Sequence, residues 1–333
     1  MNLKLGILKA FADEYQNYVR ACEQLDINYE VIDILYPGWV DQIKNSSCDG
    51  FLCHPPNDIM ETKAIYDEKL YLINKVLQKP IYPSYESLMI YENKRNLINW
   101  LQAKEFPHPE SWIFARRKDA KNFFKTADFP MVFKTSIGSA ATGVDIIKSR
   151  NRAGWIADQV FGRVHPAMAM GRLKFGGRLR LPMPLFGRMQ KHYLIVQKFY
   201  ELKWEWRVFF IENYASGYKK LLKGYYASGS KQKEWEAPPD HVFDFARDIY
   251  KSEPWFDSMA IDIFETSEGE LLVNELQALF GNPGRKYRMK YMGEEGHFKY
   301  HDGERSFEPG AVDQDDLSKF RVEHFIKILQ EKH

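Results

Sequence analysis

Cysteine is scarce. It occurs at Cys22, Cys48 and Cys53, an odd number without the paired spacing of a zinc site or a disulfide framework. No charge-free apolar run approaches the ~18 residues needed to cross a membrane, and the opening Met-Asn-Leu-Lys-Leu-Gly has no apolar signal-peptide core. These absences argue against a disulfide-stapled or membrane-spanning protein and make a reducing cytoplasm the expected home. Net charge is also nearly absent: 47 Lys and Arg against 45 Asp and Glu leave +2, so the whole-chain balance specifies neither a nucleic-acid nor a membrane partner. Acid alone is missing between Asp158 and Glu201. The stretch 162–192, with Arg163, Arg172, Lys174, Arg178, Arg180, Arg188 and Lys191, is therefore a basic excursion. It suits an anionic partner, the alternative being an insertion whose charges are merely solvated.

At 333 residues, 44% of them hydrophobic and 15% aromatic, the chain can fill two or three domains. Residues 1–90 alternate short apolar runs with segments of helical spacing, which predicts an α/β domain on a small parallel sheet. No glycine fingerprint of dinucleotide binding follows these strands. Ligands of open parallel sheets sit beyond the strands' carboxyl ends, making the loop Cys53-His54-Pro55-Pro56-Asn57-Asp58 a candidate substrate wall. A helix opening at Asn93-Lys94 and ending at Phe106-Pro-His-Pro109 marks the entry to a second domain, 91–195, and a third spans 196–333. His297 and His301 lie four apart in surroundings that do not look helical, so zinc is not expected there.

The most informative stretch is 258–284, two apolar strands joined at Glu268-Gly269. A two-residue loop there sets Ser267 opposite Glu270, Asp262 opposite Glu275 and Ala260 opposite Gln277. Strand alternation then puts Asp262, Glu275 and Gln277 on one face, with Ile261, Ile263, Leu272 and Asn274 on the other. Directly opposed carboxylates, with Cβ atoms ~5 Å apart, need a proton, a basic side chain or a cation between them. A hard divalent cation suits them best.

Other stretches fit a polyphosphate. The strand ending at Lys134 leads into Thr135-Ser-Ile-Gly138-Ser139-Ala-Ala-Thr-Gly143, a small-residue loop whose backbone can approach anionic oxygens, or else a plain flexible hairpin. Lys219 and Lys223 share strand parity and could point into one cleft. Glu205 and Arg207 share a strand face, as a working pair or an exposed ion pair. Beyond Gly284, Arg285 and Arg288 follow the acidic hairpin.

An acid, then Glu-x-Gln thirteen residues later, then a Pro-Gly turn resembles the metal hairpin of the ATP-grasp superfamily, where Asn usually stands in place of Gln277. The order of the remaining parts is similar too, over roughly 90–290, nearest in pattern to the ribosomal-protein glutamate ligase and glutathione synthetase branch. The resemblance implies an ATP-grasp fold, α/β in class, behind an N-terminal parallel-sheet domain. It implies Mg²⁺, with Mn²⁺ as an alternative, on Asp262, Glu275 and Gln277. Lys94, Lys134 and Gly138 to Gly143 would approach phosphate, Gln197, Lys198, Phe199 and Tyr200 would form the adenine hinge, and Glu205 would take the ribose. Arg207, Lys219, Lys223 and Arg285 would serve the phosphate or a substrate carboxylate. The implied activity is ATP-dependent joining of a small-molecule or peptide carboxylate to an amine through an acyl phosphate. A small-molecule kinase and a catalytically silent nucleotide-binding protein are the alternatives.

Overall fold

The computed structural model describes residues 3–331 apart from 58, 139–142, 163–191, 224–225, 228–232 and 282–285. Asp58, Ser139, Arg285, nearly all of the basic stretch and the side chain of Lys223 thus lie outside the described residues.

The N-terminal alternation resolves into β1 (Lys4–Lys9), α1 (Gln16–Gln24), β2 (Asn28–Asp33), α2 (Trp39–Asn45), β3 (Gly50–Leu52), α3 (Met60–Tyr71) and β4 (Ile81–Tyr82). The sheet is parallel throughout, in order β2-β1-β3-β4. Its apolar strands are buried at Leu5, Ile7, Phe51 and Leu52, as expected of a parallel sheet covered by helices. Cys22, Cys48 and Cys53 are free and buried. Two capped helices follow, α4 (Tyr85–Ile90) and α5 (Lys94–Ala103). The Ser84 hydroxyl accepts from the Ser87 amide and Asn93 Oδ1 from the Asn96 amide, which satisfies helix-end donors. Between them the chain reverses at Glu92, whose φ is 50°.

The central part comprises β5 (Ser111–Phe114), α6 (Arg117–Phe123), β6 (Met131–Lys134), β7 (Val144–Ile147), α7 (Arg150–Val160) and β8 (Leu194–Lys198). Its antiparallel sheet, order β5-β8-β6-β7, has its own core of Phe124, Phe133, Ile147, Ile156 and Val196.

The C-terminal part holds β9 (Leu202–Ile211), β10 (Tyr214–Lys220), β11 (Leu222–Lys223), β12 (Tyr226–Ala227), β13 (Lys233–Glu234), α8 (Asp240–Lys251), β14 (Ser258–Thr266), β15 (Leu271–Gln277), β16 (Met289–Tyr291), β17 (Glu294–His301), β18 (Glu304–Pro309) and α9 (Gln314–Glu331). The main sheet runs β15-β14-β9-β10-β17-β16. One apolar core joins this sheet to the N-terminal one, with Leu5, Phe51 and Tyr82 in the same cluster as Phe210, Ile261, Leu276 and Phe325. Helix α9 packs on α1 to close it. No helix among the described residues is long and apolar enough to cross a membrane.

The connector between β8 and β9 is residues 199–201, and β10 ends at Lys220. His297 and His301 both lie on β17, where four strand residues span about 13 Å, too far to share a metal.

Candidate active site

Residues paired directly across antiparallel strands share a sheet face, so the registers of β10, β9, β14 and β15 assemble one cluster. Lys220 pairs with Glu205, Arg207 with Asp262, Asp262 with Glu275, and Ala260 with Gln277. The sequence expectation of Asp262 opposite Glu275 is met, but by a different hairpin. The Thr266 amide donates to the Glu270 carbonyl at 2.9 Å, so the loop has three residues, not two. A bulge between Asp262 and Ile263, with Asn274 the extra residue, restores the offset at the site. The same bulge overturns the placement of Asn274 on the opposite face. Its side chain is turned to the acids, as bulges commonly re-aim a residue: Oδ1 accepts from Lys134 Nζ at 2.8 Å, and Nδ2 donates to Glu205 Oε1 at 3.4 Å.

Asp262 accepts three charge-assisted hydrogen bonds. Arg207 Nε donates to Oδ1 at 2.5 Å and a second guanidinium nitrogen to Oδ2 at 2.6 Å, while Lys220 Nζ donates to Oδ2 at 2.5 Å and to Glu205 Oε1 at 2.6 Å. Burial alone would raise the Asp262 pKa, yet Arg207 and Lys220 outweigh it and hold the carboxyl at about 2. Burial likewise acts to raise Glu275, and Lys94, 2.8 Å away, overrides it. Gln277 Oε1 accepts from Arg207 at 3.2 Å, and its amide nitrogen donates to Glu275 Oε2 at 3.2 Å and Glu92 Oε1 at 3.4 Å.

The central sheet and α5 bring the cations opposite. Lys134 ends β6, and burial, reinforced by the like charge of Lys94, lowers its pKa to about 8 against the pull of Glu275, Glu205 and Asp262. Lys94 is not the exposed lysine that its position at a helix start permits. It donates to the Gly138 carbonyl at 3.1 Å, and its backbone amide donates to the Ser136 carbonyl at 2.9 Å, so the α5 N-terminus is fastened to the small-residue loop. Tyr193 Oη accepts from the Ser136 amide at 3.0 Å on the loop's other side. Gly143 is required where it stands: its φ is +79°, and a Cβ there would lie 2.0 Å from Thr135 Oγ1, which itself donates to the Ile137 carbonyl. Gly143→Ala is expected to lose about 1–3 kcal/mol, read as a lower urea midpoint, and to weaken nucleotide binding in the same preparation.

Lys219 does not belong to this group. Its register partners are Trp206 and Glu234, it pairs with Glu234 at 2.5 Å, and its ammonium lies over the Trp204 ring. The shared parity of Lys219 and Lys223 therefore carries no cleft role for Lys219, because cross-strand pairing to Glu205 selects Lys220. Gln197 is buried and donates to Ser111 Oγ at 2.8 Å. The Lys198 side chain is exposed beside Tyr200, and Phe199 and Tyr200 are half-buried at the start of the connector. Sequence reasoning missed Lys220, Asn274 and Glu92. None of the three is singled out by alternation along the sequence; the pairing of β10 with β9 at Glu205 brings in the first.

The donors on Asp262 and Glu275 are hard oxygens, which is the chemistry Mg²⁺ selects. Mg²⁺ takes one or two carboxylates and completes its shell with water and phosphate, and Asp262 and Glu275 are the residues that would supply them; among the described residues no three His, Cys, Asp or Glu side chains are placed to hold a metal ion.

No known family model matches the sequence, and no curated protein does. Solved structures do. D-alanine–D-alanine ligase of Bacillus anthracis is similar over 99% of this chain and 100% of its own, at 12% identity and a TM-score of 0.56. A RimK domain ATP-grasp protein of Sphaerobacter thermophilus is similar over 82% and 90%, at 11% identity and 0.51. N5-carboxyaminoimidazole ribonucleotide synthetase of Thermotoga maritima is similar over 83% and 68%, at 18% identity and 0.50. The chain has the ATP-grasp fold. Its cluster of Lys94, Lys134, Glu205, Arg207, Lys220, Asp262, Glu275 and Gln277 lies between the central and C-terminal sheets of that ATP-grasp architecture, where strands from both supply side chains.

Proposed function

We propose that the protein is an ATP- and Mg²⁺-dependent ligase that joins a carboxylate to an amine. The observation that carries this reading is the opposed pair Asp262 and Glu275, ringed by Lys94, Lys134, Arg207 and Lys220. Similar structures supply support: several are ligases or synthetases by name, and one is in complex with ADP and 5-aminoimidazole ribonucleotide and another with a minimal precursor, Mg and ADP. When bound, MgATP supplies the phosphoryl group that turns a carboxylate into an acyl phosphate.

This chain's residues divide the remaining work. Asp262 and Glu275 hold the cation. Lys94 and Lys134 neutralise phosphate oxygens, and Gly138 together with Ser139 and Gly143 covers them with backbone amides. The connector after Gln197 and Lys198, with Phe199 and Tyr200, borders the adenine, and Glu205 faces the ribose. Lys220 and Arg207 have donors that can pass from Asp262 to the charge that develops on the transferred group, which costs little reorganisation because both are already fixed. Arg285 or Arg288 holds the substrate carboxylate, and the 162–192 stretch meets an anionic partner.

Incubation with ATP, Mg²⁺, candidate carboxylates and hydroxylamine tests the reading. A hydroxamate formed together with ADP is expected. A stable phosphorylated product instead makes the protein a kinase, and tight ATP binding without turnover makes it a silent binder.

A further inference from the structure

A second groove lies on the other face of the C-terminal sheet. Side chains alternate along β9, so Phe210 points away from the face that carries Arg207, and it lines a cavity of about 960 Å³. The walls come from the start of α4, the β9–β10 turn, the end of α8, the β17–β18 turn and α9, and share no residue with the cluster around Asp262. Pockets for small organic molecules run from about 300 to 1,000 Å³, so the groove has room for one.

These walls are fastened to one another across distant parts of the chain. The Ser84 amide donates to Asp257 Oδ2 at 2.8 Å, and its hydroxyl donates to the Trp255 carbonyl at 2.6 Å. Tyr250 Oη accepts from the Glu212 amide at 3.1 Å and donates to the Asp257 carbonyl at 3.2 Å. The Tyr300 amide donates to the Asn213 carbonyl at 2.9 Å. The groove is therefore a shaped surface, not a gap between loosely joined segments.

Charge decides what suits it. Lys75 pairs with Glu86 and Lys327 with Glu212, Lys104 meets Glu253, and the Ser84 amide serves Asp257. Arg247 and Lys251, one turn apart on the same face of α8, meet no carboxylate in an ion pair among the described residues. Lys251 is exposed in the last turn, where the helix dipole alone accounts for a cation. Arg247 is different. Its guanidinium lies over the Tyr300 ring at 4.6 Å, and its Nε is buried without a hydrogen-bond partner among the described residues. A desolvated donor of this kind is costly unless an acceptor meets it, and a guanidinium stacked by its face keeps its edge for a bidentate contact with an oxyanion. The remaining acids of the lining, Asp302 and Glu331, are exposed, where water screens their charge.

We propose that this groove is a second ligand site, separate from the nucleotide cleft, for a small organic acid whose carboxylate or phosphate group is bound by Arg247 and Lys251 and whose body lies against Tyr300 and Trp255. Nothing in it depends on ATP or on a metal ion.

Benzoate and phenyl phosphate serve as probes, one for each oxyanion, with binding at millimolar concentration read by saturation-transfer NMR on the ligand. The unaltered chain is expected to bind at least one of them. Arg247→Gln and Lys251→Gln should each weaken that binding by roughly tenfold or more, as loss of a charge-assisted hydrogen bond does, while Lys134→Met, which alters the other cleft, should leave it unchanged. Because Lys251 is exposed, Lys251→Gln decides the matter even if Arg247→Gln lowers the urea midpoint. Stronger binding of benzoate makes the ligand a carboxylate, and stronger binding of phenyl phosphate makes it a phosphate ester. Binding that survives both substitutions in the groove, or that is lost in Lys134→Met alone, places the anion elsewhere and overturns the proposal. Failure of the unaltered chain to bind either probe overturns it as well.

Discussion

Asp262→Asn is expected to cost roughly 3–5 kcal/mol of folding stability and to abolish Mg²⁺-dependent ATP turnover. The first effect follows from burial: Asp262 is 1% exposed and satisfies both Arg207 and Lys220, so removing its charge leaves two desolvated cations side by side. Loss of activity alone would then be ambiguous, and a double variant separates the two effects. Asp262→Asn with Arg207→Met removes a bidentate pair as a unit and leaves Lys220 on Glu205. Replacing both partners of a buried pair is commonly near neutral, so the double variant should regain most of the urea midpoint lost by the single one while remaining inactive. Recovery of turnover would remove Asp262 from the reaction. A double variant as unstable as the single would show that the pair does not act as a unit. Acid supports the same point: since Asp262 is held at about 2, below the usual 3.8, its contribution to stability is present above the latter value and is lost only as pH falls through about 2.

ATP binding at pH 9 is expected to take up close to one proton, and binding at pH 6.5 none through the same group. Lys134 discharges near 8 in the free protein because burial and Lys94 disfavour its charged form. A polyphosphate beside it favours that form and raises its pKa toward the ordinary 10.5. Between those two values binding must therefore protonate Lys134, and affinity should fall about tenfold per pH unit above 8. The free fold responds with the opposite sign, gaining stability as pH rises through 8, because a discharged Lys134 no longer pays for desolvation. Glu92, which burial and Glu275 raise to about 7 against the pull of Lys94, is already charged in this window and does not interfere. Calorimetry in buffers of different ionisation enthalpy measures the uptake. The Lys134→Met variant should bind weakly with a flat profile between pH 8 and 10; an unchanged slope in that variant would assign the proton elsewhere.

How much of this was legible in the sequence depended on whether a pattern was anchored locally. The hairpin was readable because its strands are contiguous, and the Asp262–Glu275 pairing survived two misread details that offset each other: the loop is one residue longer, and Asn274 bulges. The bulge itself leaves no trace in alternation, so Asn274 was assigned to the wrong face. On β10 the alternation was visible but its phase was not. Lys219 and Lys220 are adjacent, and only pairing with Glu205 decides which one enters the cleft. The parallel N-terminal sheet was legible from the rhythm of apolar runs. The core it shares with the C-terminal sheet was not, because that depends on α9 returning to α1 from the far end of the chain. Glu92 was invisible for a related reason: nothing in its neighbours along the chain encodes the carboxylate 183 positions later that gives it meaning.

Four carboxyl groups, on Glu92, Glu205, Asp262 and Glu275, and four cationic side chains, on Lys94, Lys134, Arg207 and Lys220, face one another in the cleft. Taken together the eight are close to electroneutral before anything binds. A surface of that kind does not attract a polyanion by sign, and a bare triphosphate entering it would leave a large uncompensated charge in a poorly screened space. On the proposed reading, the occupant that keeps such a cleft neutral would be a nucleotide accompanied by its own divalent counter-ions. The cleft would then select for a salt, not an anion, and metal and nucleotide would become interdependent at the moment of entry, before any bond is made or broken.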